Sequence, residues 1–132
     1  MIVGPEGMAK ILIAENELAL REFIARGLEQ RRHKVTMAPD GSDALDHLKK
    51  GKFDLLLTDI DMPIMDGIAL ALAVGRDYPK MKIIIMSGHE HQIERAHGLN
   101  DLVYRVVSKP FTIAQICAVV DDVLGTKKPK GE

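Results

Sequence analysis

Four short strings in this chain carry side chains suited to one piece of chemistry: Glu15-Asn16, Asp59-Ile60-Asp61-Met62-Pro63, Ser87-Gly88 and Lys109-Pro110-Phe111. Asp59 closes the run Leu55-Leu56-Leu57-Thr58, and an apolar run of that length reads as a buried parallel strand. The turn after it is stiffened by Pro63, so the carboxylate stands where open α/β sheets present ligand-binding groups. Glu15-Asn16, Ser87 and Lys109 follow three further apolar runs in the same way. Gathered at one end of a parallel sheet, two carboxylates and an amide oxygen suit a hard cation such as Mg2+. A hydroxyl and an ammonium beside them suit a phosphoryl group, which needs donors and positive charge. Taken singly, each residue has a plainer reading. Asp59 would be a turn former, Asn16 the N-cap of the next helix, Ser87 a loop serine and Lys109 a solvated charge. Their shared position at strand ends is what argues for a site.

Positioning them takes five strands. Lys10 to Ala14, Lys34 to Ala38, Asp54 to Asp59, Lys82 to Ser87 and Leu102 to Val107 carry the strand pattern. Between them, apolar residues repeat at helical spacing: Leu20, Phe23, Ile24, Gly27 and Leu28, then Ala44, Leu45 and Leu48 after Asp40-Gly41-Ser42. A third helix is predicted from Gly67 to about Asp77, ended by Tyr78-Pro79. A short polar helix is predicted over about His89 to His97. Its His89, Glu90, His91 and Glu94 read as a solvated face, since two histidines without a second ligand pair make a poor zinc set. Thr112-Ile113-Ala114-Gln115 is a capping-box pattern, opening a helix with the apolar face Ile113, Ile116, Cys117, Val120, Val123 and Leu124. Alternating units with right-handed crossovers predict an α/β fold, a doubly wound five-stranded parallel sheet with helices on both faces.

At 132 residues the chain is sized for one domain with its own core. The expected organisation is a leader over 1–8, a folded domain over 9–125 and a basic tail over 126–132. A formal net charge of −1 argues against a nucleic-acid binder. The single cysteine, Cys117, excludes an internal disulfide and fits a reducing compartment. No apolar run reaches membrane-span length and no signal pattern opens the chain, so a soluble cytoplasmic domain is expected.

Taken together and in order, Glu15-Asn16, Asp59, Met62-Pro63, Asp66-Gly67, Ser87-Gly88 and Lys109-Pro110-Phe111 resemble the receiver domain of two-component response regulators, over about residues 9–125. The resemblance implies the flavodoxin- and CheY-like strand order 2-1-3-4-5. It implies that Asp59 is phosphorylated by attack on a phosphohistidine of a sensor histidine kinase or histidine phosphotransferase. Mg2+ would be held by Glu15, Asn16, Asp59 and the backbone carbonyl of Asp61. Ser87 would hydrogen-bond one phosphoryl oxygen, Lys109 would pair with another, and the Lys109-Pro110 peptide would be cis. Such a domain is a phosphoacceptor and not a turnover enzyme.

Two positions depart from that pattern. Receivers usually carry two acidic residues where this chain has Glu15-Asn16. Asn16 offers an amide oxygen without charge, so weaker Mg2+ binding and slower phosphotransfer are expected. Many receivers also place Tyr or Phe three residues before the lysine, where it rotates inward on phosphorylation. Val106 occupies that position, with Tyr104 two residues earlier and expected on the same strand face. Output is then expected through Ser87, the loop after it and the short helix that follows.

Among single-domain receivers the chain is similar to the CpdR-like proteins of alphaproteobacteria, through Ile11 to Glu15, Leu55 to Pro63, Met65 to Ala71, Met81-Lys82-Ile83, Ser87-Gly88 and Val107 to Phe111. That likeness implies a cell-cycle adaptor for the ClpXP protease, active when unphosphorylated. With no helix-turn-helix or basic DNA-reading segment, the expected output is a protein contact biased by the charge added at Asp59. Two rivals stand beside this reading. Asp59-Ile60-Asp61 also resembles the opening motif of haloacid-dehalogenase-type phosphatases, but Pro63 and the position on a third strand do not fit it. A pseudo-receiver that works without phosphate is the other, suggested by Asn16 and Val106.

Overall fold

The apolar runs form parallel strands covered from both sides. The computed structural model describes residues 9–89, 94–96, 98–99 and 101–126. Among these, the elements in chain order are β1 (Lys10–Ala14), α1 (Leu18–Gln30), β2 (Lys34–Ala38), α2 (Gly41–Lys50), β3 (Leu55–Asp59), α3 (Gly67–Asp77), β4 (Lys82–Ser87), β5 (Arg105–Ser108) and α4 (Ile113–Leu124). The expected leader, residues 127–132 of the expected tail, and Glu90, His91 and His97 lie outside the described residues. The sheet runs β2-β1-β3-β4-β5 with every pair parallel, the order expected.

Alternation along the strands feeds two cores. Leu12, Leu56, Ile83 and Ile85 join α2 and α3 through Ala44, Leu48, Leu70 and Val74. Ile11, Ile13, Leu57 and Ile84 join α1 and α4 through Ile24, Leu28, Ile116 and Val120. Leu12 lies beside Leu56, and Leu56 beside Ile83, so a slip of one residue would exchange the two faces. Fully burying one such side chain is worth about 1.5–3 kcal/mol, which holds the register and with it the strand ends. Asp59 therefore lies beside Met86, and Ser87 beside Ser108.

Asp40 caps α2 by accepting the Asp43 N–H at 2.8 Å. The capping box of α4 forms in full, with Thr112 Oγ1 accepting the Gln115 N–H and Gln115 Oε1 accepting the Thr112 N–H.

Several local expectations are corrected. β5 is Arg105–Ser108, not Leu102 to Val107. The N–H groups of Leu102 and Val103 both donate back to the Leu99 carbonyl, so these apolar residues close a turn that packs on the core. Tyr104 lies ahead of the strand and packs with the α1–α4 core, whereas Val106 packs with the other, so the two do not share a face. Asn16 does not cap α1; Glu17 is the N-cap residue, without a side-chain bond. Phe23 is 46% exposed, while Ala25 is buried among Ile24, Gly27 and Leu28. β3 begins at Leu55 and not at Asp54, whose carboxylate accepts the Lys10 N–H at 2.8 Å. Of the short helix expected over about 89–97, His89 is not helical and 94–96 is, with Ala96 fully buried.

His33, just before β2, is buried with neither ring nitrogen hydrogen-bonded among the described residues, and Asp121 Oδ1 lies 4.0 Å from Nε2. Burial lowers its pKa against the pull of Asp121. The unfolded chain therefore takes up the proton first as pH falls past about 6.5. This residue's contribution to stability is intact above that pH and is lost as pH falls toward the lower folded value. Between about pH 7.5 and 5.5 the urea midpoint of the wild type should fall relative to that of His33→Phe. Parallel curves would mean that the imidazole protonates as readily in the fold as outside it.

Candidate functional site

Three strand ends meet at one ammonium. Lys109 Nζ lies 3.1 Å from Asp59 Oδ1 and 3.2 Å from Glu15 Oε1. Glu15 follows β1, Asp59 closes β3 and Lys109 follows β5. Both carboxylates are buried, Glu15 at 1% and Asp59 at 4% exposure. Glu15 is fastened on several sides: Oε2 accepts the Glu17 N–H at 3.0 Å, its carbonyl accepts Arg21 Nη1 at 2.6 Å, and its N–H donates to Ala38 at 3.0 Å. The Lys109 N–H donates to the Ser87 carbonyl at 2.9 Å, and the Lys109-Pro110 peptide is cis.

Burial pushes both carboxyls upward. For Glu15 desolvation leads, the Glu17 N–H opposes it, and the charge of Asp59 adds to it; for Asp59 desolvation leads and Lys109 opposes. Burial alone would lower Lys109, yet the charges of Asp59 and Glu15 outweigh it and its pKa is raised. One ammonium thus faces two carboxylates, and a buried negative charge left over is costly unless another cation or donor meets it.

Among the described residues no group of three or more His, Cys, Asp or Glu side chains forms a metal cluster. The oxygen set is instead mixed: the carboxylates of Glu15 and Asp59, the exposed Asn16 amide beside Glu15, and the Asp61 backbone carbonyl two residues past Asp59. This donor set fits Mg2+, which takes one or two carboxylates and keeps several waters. The Asp61 side chain itself lies 3.2 Å from His89 Nε2. Ser87 is fully buried; its Oγ accepts the His89 N–H at 3.2 Å and donates to the His89 carbonyl at 3.4 Å. The structure thus joins Glu15, Asp59 and Lys109 by contact and sets Ser87 at the end of the adjoining strand. It leaves Asn16 and Asp61 at the exposed edge.

Two supports carried no signal in the residue types. Arg21 looks like a solvated helix charge but grips the Glu15 carbonyl, and buried Thr58 donates to the Asp59 carbonyl at 2.9 Å. Behind Asp59, Asp66 caps α3 through the Ala69 N–H, and the Gly67 N–H donates to the Ile60 carbonyl at 2.9 Å. A Cβ on Gly67 would fall on the Asp59 carbonyl oxygen.

Ile64, in the loop between β3 and α3, has φ +72° and is 82% exposed. A left-handed conformation costs an L-residue about 1–2 kcal/mol, and a β-branched one is a genuine outlier there. Ile64→Asn should raise stability by about 0.5–1 kcal/mol, because asparagine tolerates this region. A lower urea midpoint in the variant would show instead that the isoleucine side chain is held by packing.

Residues 11–121 match the family described as the response regulator receiver domain. The response regulator receiver protein CpdR of Brucella abortus is 33% identical over 117 residues, covering 89% of this chain and 98% of that protein. The sensor kinase CckA of Brucella abortus is 30% identical over 120 residues, covering 89% of this chain but only 13% of CckA. The solved structure of the response regulator protein TrrA from Thermotoga maritima, in complex with Mg(2+)-BeF, matches with a TM-score of 0.79 at 25% identity, covering 88% of this chain and 99% of that one.

Proposed function

The chain belongs to the response regulator receiver domain family of two-component systems, and from that premise we propose that it is a protein-interaction switch whose phosphoacceptor is Asp59. The observation that carries this reading is the pair of buried carboxylates, Glu15 and Asp59, held by the single ammonium of Lys109 at 3.2 and 3.1 Å. An oxygen of Asp59 attacks the phosphorus of a phosphohistidine on a sensor histidine kinase or phosphotransferase. The new P–O bond forms as the P–N bond breaks; its electron pair returns to the imidazole, which takes a proton from water. Glu15, Asn16, Asp59 and the Asp61 carbonyl would hold Mg2+, which would supply neutralising charge for the incoming group. Lys109 is already placed to pair with a phosphoryl oxygen. Ser87 donates to another by giving up its contact with the His89 carbonyl, which passes the change to the loop after β4. The complex of TrrA with Mg(2+)-BeF supports the metal and the phosphoryl site.

Similarity to CpdR along nearly its whole length supports a finer reading. The chain would act as an adaptor for a protein effector such as the ClpXP protease, with the unphosphorylated form active. The likeness to part of CckA supports a phosphorelay kinase upstream.

Exposure to acetyl phosphate with Mg2+, followed by intact-mass measurement, should add one phosphoryl group to the wild type and none to Asp59→Ala. A wild type that takes up no label would favour the phosphate-independent pseudo-receiver. Asn16→Asp should tighten Mg2+ binding about tenfold, roughly 1.4 kcal/mol, by calorimetric titration. Unchanged affinity would remove Asn16 from the metal's ligands.

A further inference from the structure

We propose that the opposite end of the sheet carries a second binding site, for a nucleotide. A cleft of about 810 Å³ opens there between the chain leaving α2 and the chain leaving α3, at the amino ends of β3 and β4. That volume lies within the range of small-molecule sites, about 300–1,000 Å³. Buried Leu48 and Met81 and half-buried Phe53 and Tyr78 supply its apolar lining.

Lys49, Lys50, Lys52 and Lys80 surround that lining and are exposed. Among the described residues none of these four makes a side-chain hydrogen bond or ion pair. Lys82 also lines the cleft, but its ammonium is fixed on the carbonyls of Val123 and Leu124 at 3.1 and 2.9 Å, on the other face of the sheet, and is not counted with them. Asp54 is the one acid in the lining, and its Oδ2 already accepts the Lys10 N–H. Four lysines against one aspartate give the cleft +3, in a chain whose net charge is −1.

Helix electrostatics explain only part of this. Lys49 and Lys50 sit in the last turn of α2, where cations complement the helix dipole. Lys52 and Lys80 lie outside any helix and gain nothing from it. Cations that outnumber the carboxylates among them repel one another and concentrate anions from solution. Lysines bind phosphate as point charges, while an apolar, partly aromatic lining favours a flat base. A bare polyphosphate would leave that lining unused, and an uncharged aromatic would leave the lysines unused. A nucleotide meets both, at the far end of the strands from Asp59.

ATP in excess EDTA, which takes Mg2+ out of play, is the probe, and amide chemical shifts are the readout. Saturable shifts are expected at residues 48–54 and 78–82, with adenosine and inorganic triphosphate each binding more weakly than ATP. Lys52→Glu/Lys80→Glu should weaken ATP at least about tenfold and still be labelled by acetyl phosphate at the wild-type rate, which reports an intact fold. Should that variant misfold, Lys52→Gln/Lys80→Gln should weaken ATP in the same direction. No saturable shift, wild-type affinity in the charge variants, or triphosphate binding as tightly as ATP would each overturn the nucleotide assignment. Displacement of ATP by a short oligoglutamate peptide at lower concentration would overturn it in favour of an acidic protein segment.

Discussion

Lys109→Ala should slow acetyl-phosphate labelling of Asp59 by about two to three orders of magnitude, the usual loss when one preorganised charge-stabilising donor is removed. Phosphoryl transfer asks a protein for little beyond position and charge, and Lys109 is the cation already in contact with both buried carboxylates. Its removal acts twice. The incoming phosphoryl group loses its fixed positive partner. Glu15 and Asp59, both already pushed upward by burial, lose the ammonium that opposes that shift, so less of the nucleophile is ionised. Initial rates by intact mass, set beside urea midpoints, separate chemistry from folding. A purely structural lysine would lower the midpoint and leave the labelling rate of folded protein unchanged. The vacated charge also predicts that Mg2+ raises the thermal midpoint of Lys109→Ala more than that of the wild type.

The residue types that make up this site were readable because of where a parallel sheet puts them. A strand covered on both faces is apolar along its middle, so β1, β3 and β4 announced their ends where the apolar run gave way, at Glu15, at Thr58-Asp59 and at Ser87. The same rule misplaced β5, since Leu102 and Val103 are apolar in order to pack a turn against the core and not to pair. Helical periodicity put Phe23 in the core, but the buried stripe of α1 is narrow and Ala25 lies in it instead. The fastenings of the site were less legible. Nothing in the types of Arg21 or Thr58 says which carbonyl each will reach. Isoleucine is the last residue expected at positive φ, so Ile64 gave no turn signal. The lysine cleft depends on two loops that only the fold brings together.

Gly67→Ala should cost at least about 3 kcal/mol, a large part of the roughly 5–15 kcal/mol that holds a domain together. The reason is close approach of backbone to backbone. A Cβ at this position would overlap the Asp59 carbonyl oxygen and come within 2.7 Å of the Asp59 carbonyl carbon and 2.9 Å of Ile60 Cα. No side-chain rotation relieves such a contact, so α3 has to move. Moving it breaks the Gly67-to-Ile60 hydrogen bond and lifts Ile68, Leu70 and Ala71 from the core they help to close. Gly51→Ala is the matching control: its backbone is extended and nothing lies within 4 Å of the added methyl. That change should be neutral or gain about 0.4–1 kcal/mol by restricting the unfolded chain. Urea unfolding of the two variants gives the contrast directly, and a wild-type midpoint for Gly67→Ala would mean that the start of α3 can slide off Asp59 without cost. A variant that stays folded but labels slowly would carry the opposite lesson. In that case the glycine's main service is to let α3 press against the strand end and hold the Asp59 carboxylate in reach of Lys109.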